Sequence, residues 1–252
     1  LQTLVCQYSF IPPYLPPDWE IAHRCGGLDA PENSVEAARL AAEHGARWVE
    51  LDISFSKDGV AVAFHDSSME RLTSLTGDIT SFPYSQLAGE DLALKHNSST
   101  PGPVAIPRVE QVLEEAARHG LKVILDLKTW RSPGQTVELV LQLYRDFPWL
   151  ETRGMVTTFH PHLAYLLRRR RPTIVTAVSV DRRWPQLVEL GLWRLLGFSA
   201  VLASKELVTE QLRDFWLERG VRLMAWTVND EQEKRSMKEM RIQILTDTVT
   251  VT

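Results

Sequence analysis

The sequence predicts an α/β fold, a (β/α)8 barrel with a small insertion after the hairpin of its second strand. Three observations predict it. Short apolar runs alternate with longer helix-period stretches along most of the chain, the pattern of a parallel sheet with helices outside. The 252 residues match the roughly 250 of a single barrel domain. Finally, the polar residues best suited to chemistry sit at the carboxyl ends of the apolar runs, where a barrel gathers side chains into one mouth.

In chain order, residues 1–18 form a lead punctuated by Pro12, Pro13, Pro16 and Pro17, and the barrel is expected over 19–252. Strands are expected at Glu20–Arg24, Trp48–Ile53, Val60–His65, Lys122–Leu127, Met155–Phe159, Ile174–Val178, Ala200–Ala203, Leu223–Thr227 and Ile242–Leu245. Helical periodicity covers Ser34–His44, Val109–His119, Thr136–Arg145, Pro161–Arg170, Thr209–Arg219 and Asp230–Met240. Nine strands are one too many for the barrel. Only Ser54–Gly59 separates the second and third, too short for a parallel crossover, and Lys57-Asp58-Gly59 is turn chemistry. These two should therefore form an antiparallel hairpin. A turn centred near Asp58 brings His65 roughly opposite Glu50 to Asp52. The stretch of about 67–106 holds no clear barrel strand and reads as an insertion over the mouth.

Composition excludes some classes. The net charge of −4 argues against wholesale binding of a nucleic-acid backbone. Cys6 and Cys25 are too few for a disulfide framework; one bridge stays open, and two free thiols is the simpler expectation. No run of about 18 uncharged apolar residues is present to span a bilayer. The chain opens at Leu1 without methionine and stops after Thr252, so both ends read as cut, which leaves a signal or anchor upstream open.

The strand ends carry a strongly polar set. The first expected strand ends Ala22-His23-Arg24, and the second contains Glu50-Leu51-Asp52, with its two carboxylates on one face. The hairpin return ends His65-Asp66, the next strand Asp126-Leu127-Lys128, the penultimate Trp226-Thr227 and the last Thr246-Asp247. Taken singly, each such residue is as well explained by a salt bridge or a turn cap. Together, three carboxylates in one mouth would repel one another and take up protons unless a cation joined them. Oxygen-only ligands point to Mg2+ or Ca2+. Arg24 and Lys128 beside that ion would receive a phosphate, and His23 and His65 would supply a general base and acid near neutral pH. The set reads as phosphoryl chemistry.

Those residues stand in a recognisable order. Ile21-Ala22-His23-Arg24, Ala30-Pro31-Glu32-Asn33-Ser34, Val49-Glu50-Leu51-Asp52, Lys57-Asp58-Gly59, Phe64-His65-Asp66, Leu125-Asp126-Leu127-Lys128 and Trp226-Thr227-Val228-Asn229 resemble the signature of glycerophosphodiester phosphodiesterases. The resemblance spans about residues 20–250 and is closest in kind to the membrane-associated animal branch. It implies acid/base roles for His23 and His65, metal ligation by Glu50, Asp52 and Asp126, and phosphate contacts from Arg24 and Lys128. It also implies a bracing role for Glu32, a pocket-lining role for Trp226 and a small extra lobe after His65. Asn33 or Ser34 would cap the first helix. Two positions depart from the pattern: Cys25 stands where glycine is usual, and Asp126 replaces the commoner, longer glutamate.

The implied reaction is hydrolysis of a glycerophosphodiester, such as glycerophosphoinositol or glycerophosphocholine, to an alcohol and glycerol 3-phosphate. The glycerol hydroxyl or a polarised water would attack. Rival readings are a lysophospholipase D or sphingomyelinase-D-like activity on lysolipids, and a catalytically silent lipid-binding barrel. The apolar stretch 187–203, carrying only Glu189 and Arg194, reads first as a barrel helix entering a strand and second as a membrane-surface contact. Asn97-Ser98-Ser99 is a glycosylation sequon, which with the animal branch suggests a membrane-associated protein whose catalytic domain is luminal or extracellular. Arg168–Arg171 reads as a solvated helix end.

Overall fold

A computed structural model describes residues 19–96, 102–128, 132–181 and 193–249. The strands are β1 (Glu20–Ala22), β2 (Trp48–Phe55), β3 (Ala61–Ala63), β4 (Lys122–Leu127), β5 (Gly154–Thr157), β6 (Ala177–Val180), β7 (Ala200–Ser204), β8 (Arg222–Trp226) and β9 (Gln243–Thr246). Eight of them pair in parallel in the order β5-β4-β2-β1-β9-β8-β7-β6, with β3 antiparallel to β2. A parallel bridge between Val156 and Thr176 links the two ends, so the sheet is a nearly closed barrel. The main helices are α1 (Val35–Glu43), α2 (Val109–Arg118), α3 (Pro133–Asp146), α4 (Pro161–Arg170), α5 (Glu210–Leu217) and α6 (Glu231–Glu239).

Burial explains the architecture. β2 is buried at every position and β4 at all but its first, as strands covered on both faces must be. One face of each fills the barrel. Ile21, Trp48, Ile124, Met155, Ala177, Ala200, Met224 and Leu245, one from each of the eight strands, pack into a single interior cluster. The opposite faces pack under the helices. Val49, Leu51, Val123 and Leu125 meet α1 and α2 on one side, while Val201, Leu223 and Ile244 meet the Trp216 side on the other. Because side chains alternate along a strand, each interior residue points its second neighbour toward the mouth. Trp48 leads to Glu50 and Asp52, Ile124 to Asp126, Met224 to Trp226 and Leu245 to Asp247. The packing layer thus aims the site.

The β2–β3 hairpin pairs Ile53 with Ala63 and Phe55 with Ala61, a register centred on Asp58. That is the arrangement expected from the loop length. After β3 the chain builds a lobe with its own apolar cluster of Val62, Phe64, Met69, Leu72, Ile79, Leu87, Leu92, Val104 and Ile106. Several expected boundaries move. β1 stops at Ala22, two residues early, because His23–Cys25 forms a 3-10 turn with Arg24 left-handed at φ 50. β6 begins at Ala177 rather than Ile174, with Ile174 and Val175 buried ahead of it. α3 begins three residues early, at Pro133, where Ser132 caps it and proline at the first turn needs no amide donor.

Of the apolar stretch 187–203, residues 187–192 lie outside the described residues. Trp193 packs edge-on against Trp216, and Ala200 to Ala203 are buried in β7. At the end of α4 the arginines have local partners: Arg168 donates to the Gly197 carbonyl, and Arg170 and Arg171 pair with Glu138 and Glu151. Among the described residues no helix is long and apolar enough to cross a membrane. Asn97 and Cys6 fall outside the described residues.

Candidate active site

The mouth is built from strand ends in the order the barrel closes. Glu50, Asp52 and Asp126 are buried, and one carboxylate oxygen from each lies within 4.8 Å of the others. β2 and β4 pair Asp52 directly with Asp126, so the register itself brings two of the three together. Asp126, although a methylene shorter than the glutamate the family pattern favours, reaches the cluster. Lys128 lies between them, its Nζ 2.5 Å from Asp126 Oδ2 and 2.8 Å from Asp52 Oδ1.

The electrostatics are divided. Burial, then the charges of Asp52 and Asp126, push the Glu50 carboxyl well above the ordinary carboxylate range. Burial acts the same way on Asp52, but Lys128, His65 and Arg24 outweigh it and hold that carboxyl low. Burial works against the charge of Lys128, yet Asp126, Asp52 and Glu50 raise its pKa overall. A divalent cation fits this donor set. Three buried oxygens converge, Asp126 Oδ1 has no hydrogen-bond partner among the described residues, and Asp52 Oδ1 has only its ion-pair contact with Lys128. All-oxygen coordination suits a hard ion such as Mg2+ or Ca2+.

The first βα turn carries fixed positive charge beside the carboxylates. Arg24, Cys25 and Gly26 have φ of 50, 63 and 92, three consecutive left-handed residues. For a non-glycine residue this conformation costs on the order of 1–2 kcal/mol. The turn aims the Arg24 amide at Glu50 Oε2, 2.8 Å away. Cys25 therefore adopts the conformation that glycine would hold. Its thiol is fully buried, contacts the Glu50 carbonyl at 3.5 Å and has no disulfide partner among the described residues. The Arg24 guanidinium donates to both oxygens of Glu32 at 3.1 and 3.3 Å, and its Nε lies 3.9 Å from Asp52. That Nε is buried without a hydrogen-bond partner among the described residues, a donor available to a phosphate oxygen.

Both histidines are anchored through Nδ1. His23 Nδ1 lies 2.6 Å from Asp247 Oδ1, and His65 Nδ1 lies 2.7 Å from Asp66 Oδ1. An ionised carboxylate only accepts, so each Nδ1 carries the proton and leaves Nε2 for chemistry. His23 Nε2 lies 4.0 Å from Glu50 Oε2. Asp247 is itself held: Asn229 Nδ2 donates to its Oδ2, and its amide donates to Asn229 Oδ1. Asn33 does the same for Asp52, donating from Nδ2 to Oδ2 at 2.8 Å and accepting from the Asp52 amide at 2.9 Å. Of the two capping candidates, Ser34 caps α1 and Asn33 serves the site. Across the mouth, Trp226 donates Nε1–H to the Leu202 carbonyl and meets Phe159 edge-on at 5.8 Å. Lys128 Nζ sits 6.0 Å from the Phe159 ring.

The structure thus gathers His23, Arg24, Glu50, Asp52, His65, Asp126, Lys128 and Trp226 at one end of the barrel. The supporting residues carried weaker signals. Asp247 becomes a partner of His23 only when β9 pairs with β1, which barrel closure demands and local pattern does not. Arg71, in the lobe, contacts both Asp66 and Glu32 and had no sequence signal at all.

Oxygen ligands for a hard cation, fixed positive charge and two oriented imidazoles suit the cleavage of a phosphoric diester, and comparison with known proteins puts the chain in that class of hydrolase. The profile of the glycerophosphoryl diester phosphodiesterase family matches residues 23–251, and the chain belongs to that family. Glycerophosphodiester phosphodiesterase 1 of Bos taurus is 31% identical over 242 residues, covering 85% of this chain and 72% of the relative. The glycerophosphodiester phosphodiesterase of Bacillus altitudinis is 32% identical over 231 residues, covering 90% and 93%. Among solved structures, a phosphodiesterase of Oleispira antarctica, determined in complex with the product sn-glycerol-3-phosphate, superposes with a TM-score of 0.80 at 22% identity, covering 94% and 95%. The glycerophosphodiester phosphodiesterase of Agrobacterium tumefaciens gives 0.74 at 20% identity, covering 92% and 97%. At these identities the two structures establish the fold.

Proposed function

We propose that this chain hydrolyses small glycerophosphodiesters, such as glycerophosphoinositol and glycerophosphocholine, to an alcohol and sn-glycerol 3-phosphate. One divalent cation, Mg2+ or Ca2+, would be held by Glu50, Asp52 and Asp126. The observation that carries the reading is the pair of histidines, each anchored at Nδ1 by its own carboxylate, at the same strand ends as three converging buried carboxylates. When bound, the cation supplies Lewis-acid stabilisation of charge on the phosphoryl oxygens.

The residues divide the remaining work. Arg24 and Lys128 place positive charge where the non-bridging oxygens sit, and Glu32 holds the Arg24 guanidinium in position. One imidazole Nε2 takes the proton of the attacking group, a water or the substrate's own glycerol hydroxyl, as the new P–O bond forms. The other, protonated, gives its proton to the leaving oxygen as the old P–O bond breaks. Where the glycerol hydroxyl attacks, a water then opens the cyclic phosphate in the reverse sense to give sn-glycerol 3-phosphate. Asp247 and Asp66 keep both rings in the tautomer these transfers need. Trp226 and Phe159 wall the mouth with apolar surface. The product bound to the Oleispira antarctica relative, sn-glycerol-3-phosphate, supports glycerol as the retained moiety.

The test is release of sn-glycerol 3-phosphate from glycerophosphoinositol and glycerophosphocholine with Mg2+, Ca2+ or EDTA. Turnover that requires a cation is expected, and turnover unchanged in EDTA would contradict the reading. A membrane-associated protein with its catalytic domain outside the cytosol belongs to the same proposal, supported by the Asn97 sequon and the resemblance to the animal branch. Protein from a secretory host should shift in mobility on glycosidase digestion and lose the shift in Asn97→Gln.

A further inference from the structure

Arg71 belongs to the insertion lobe, between Met69 and Leu72, whose side chains are buried in the lobe's own cluster. Its backbone is therefore fixed by the packing of the lobe against the outer side of the β2–β3 hairpin. Its guanidinium leaves the lobe and meets two carboxylates of the mouth. Nε donates to Asp66 Oδ2 at 2.5 Å, while Nη1 and Nη2 donate to Glu32 Oε2 and Oε1 at 2.8 and 2.7 Å. Those two acids serve different halves of the site. Asp66 anchors His65 through its other oxygen, and Glu32 holds Arg24. The planar five-donor fork of arginine is what allows one side chain to take both oxygens of one acid and an oxygen of the next.

We propose that Arg71 is a positioning residue through which the lobe sets both the acid/base histidine His65 and the phosphate-binding Arg24. This rests on the hydrolytic reading above and extends it to the lobe. Two consequences separate it from a mere anchor. Without Arg71, Asp66 keeps one oxygen on His65 but loses the contact that fixes its plane, so the imidazole loses its aim and kcat falls. Glu32 at the same time loses its other cation and pairs with Arg24 alone. Arg24 is then held more tightly by protein and less by phosphate, so KM rises. The Arg71 side chain is 45% exposed, so a small cation can reach the space it leaves. A second contact from the lobe, His96 Nε2 to the Gly27 carbonyl at 2.8 Å, docks the lobe on the same βα turn and survives the loss of Arg71.

The experiment compares wild type, His65→Ala, Arg71→Ala and Arg71→Lys on glycerophosphoinositol with saturating Mg2+, each with and without added guanidinium chloride at a concentration well below denaturing. Thermal midpoints and inorganic phosphate binding are measured on the same samples. Arg71→Ala should keep its folded signal, lose about 10- to 100-fold in kcat, as loss of an outer partner of a reacting group typically does, and rise severalfold in KM. Guanidinium should restore part of kcat to Arg71→Ala and none to His65→Ala. Arg71→Lys, with the charge but not the fork, should keep the wild-type midpoint yet recover little activity. Phosphate should bind Arg71→Ala more weakly. An active wild type beside Arg71 variants within twofold in kcat, KM and phosphate binding would overturn the positioning role and leave the hydrolytic reading intact. A loss explained wholly by a fallen midpoint, without guanidinium rescue, would reduce Arg71 to an anchor. An inactive wild type would overturn both.

Discussion

His23 Nδ1 lies 2.6 Å from Asp247 Oδ1, joining the end of the first barrel strand to the end of the last. The contact exists because β1 and β9 pair in parallel with Ala22 beside Thr246, so the next residue of each strand emerges side by side at the mouth. Replacement of the carboxylate by an amide should leave the barrel closed and release the ring. Asp247→Asn is expected to lower kcat by up to about 10⁴-fold, the loss that follows when a tautomer-fixing carboxylate becomes an amide. Steady-state kinetics check this, and a loss under threefold would place Asp247 outside the mechanism.

The same carboxylate should mark acid stability. Burial works against its charge, but the His23 hydrogen bond and charge and the Asn229 hydrogen bond hold its pKa below the ordinary 3.8. A carboxyl lowered by folding stabilises the protein above its unfolded pKa and ceases to do so as pH falls through the folded one. Thermal midpoints of wild type should therefore fall more steeply than those of Asp247→Asn as pH drops from about 5 to 2. Parallel curves would show that the pair contributes no linkage.

Lys128 is the fixed cation of the carboxylate cluster and is itself nearly buried, 11% exposed. Removing it takes away the ion-pair partner that Asp52 and Asp126 share, leaving Asp52 to Arg24 and Asn33. Lys128→Ala is expected to destabilise the metal-free protein by about 3–5 kcal/mol. Added Mg2+ or Ca2+ should return part of that in the thermal midpoint, because a ligand bound only by the folded state stabilises it. A midpoint insensitive to both the substitution and the cation would argue against a metal at this cluster.

Cys25 should be inert. Burial, then the charges of Glu50 and Asp52, push its thiol pKa well above the ordinary value, and none of its surface is accessible. In a Cys6→Ser background the native protein should resist iodoacetamide and react only on unfolding. Ready labelling of the native state would mean that the left-handed turn opens and exposes a reactive thiol beside the site.

Much of this was legible from pattern because the relevant contacts are short in sequence. The six residues Ser54–Gly59 between the second and third expected strands dictated a hairpin about Asp58, and period-two alternation placed Glu50 with Asp52 and Asp126 with Lys128. What was hidden depends on closure or on conformation without periodicity. Nothing local shows that β1 ends at Ala22, because the left-handed run at Arg24 and Cys25 is imposed by the Arg24 amide reaching Glu50. Asp247 was visible as a strand end but not as the partner of His23, 224 residues away. Asn33 and Ser34 read equally well as the cap of the first helix, and only the structure gives the cap to Ser34. The lobe has its own core, and no repeat or alternation in its sequence reveals that Arg71 would return to the mouth.

The most direct test of the central claim is the hydrolysis of glycerophosphoinositol by His23→Ala and His65→Ala beside wild type, with saturating Mg2+ and with the p-nitrophenyl ester of glycerol phosphate as a second substrate. If the two imidazoles act as base and acid, both variants lose about 10²- to 10⁴-fold on the natural diester. The variant lacking the acid then recovers on the activated ester, whose leaving group needs no proton. Both variants turning over the natural diester at near the wild-type rate would contradict the account.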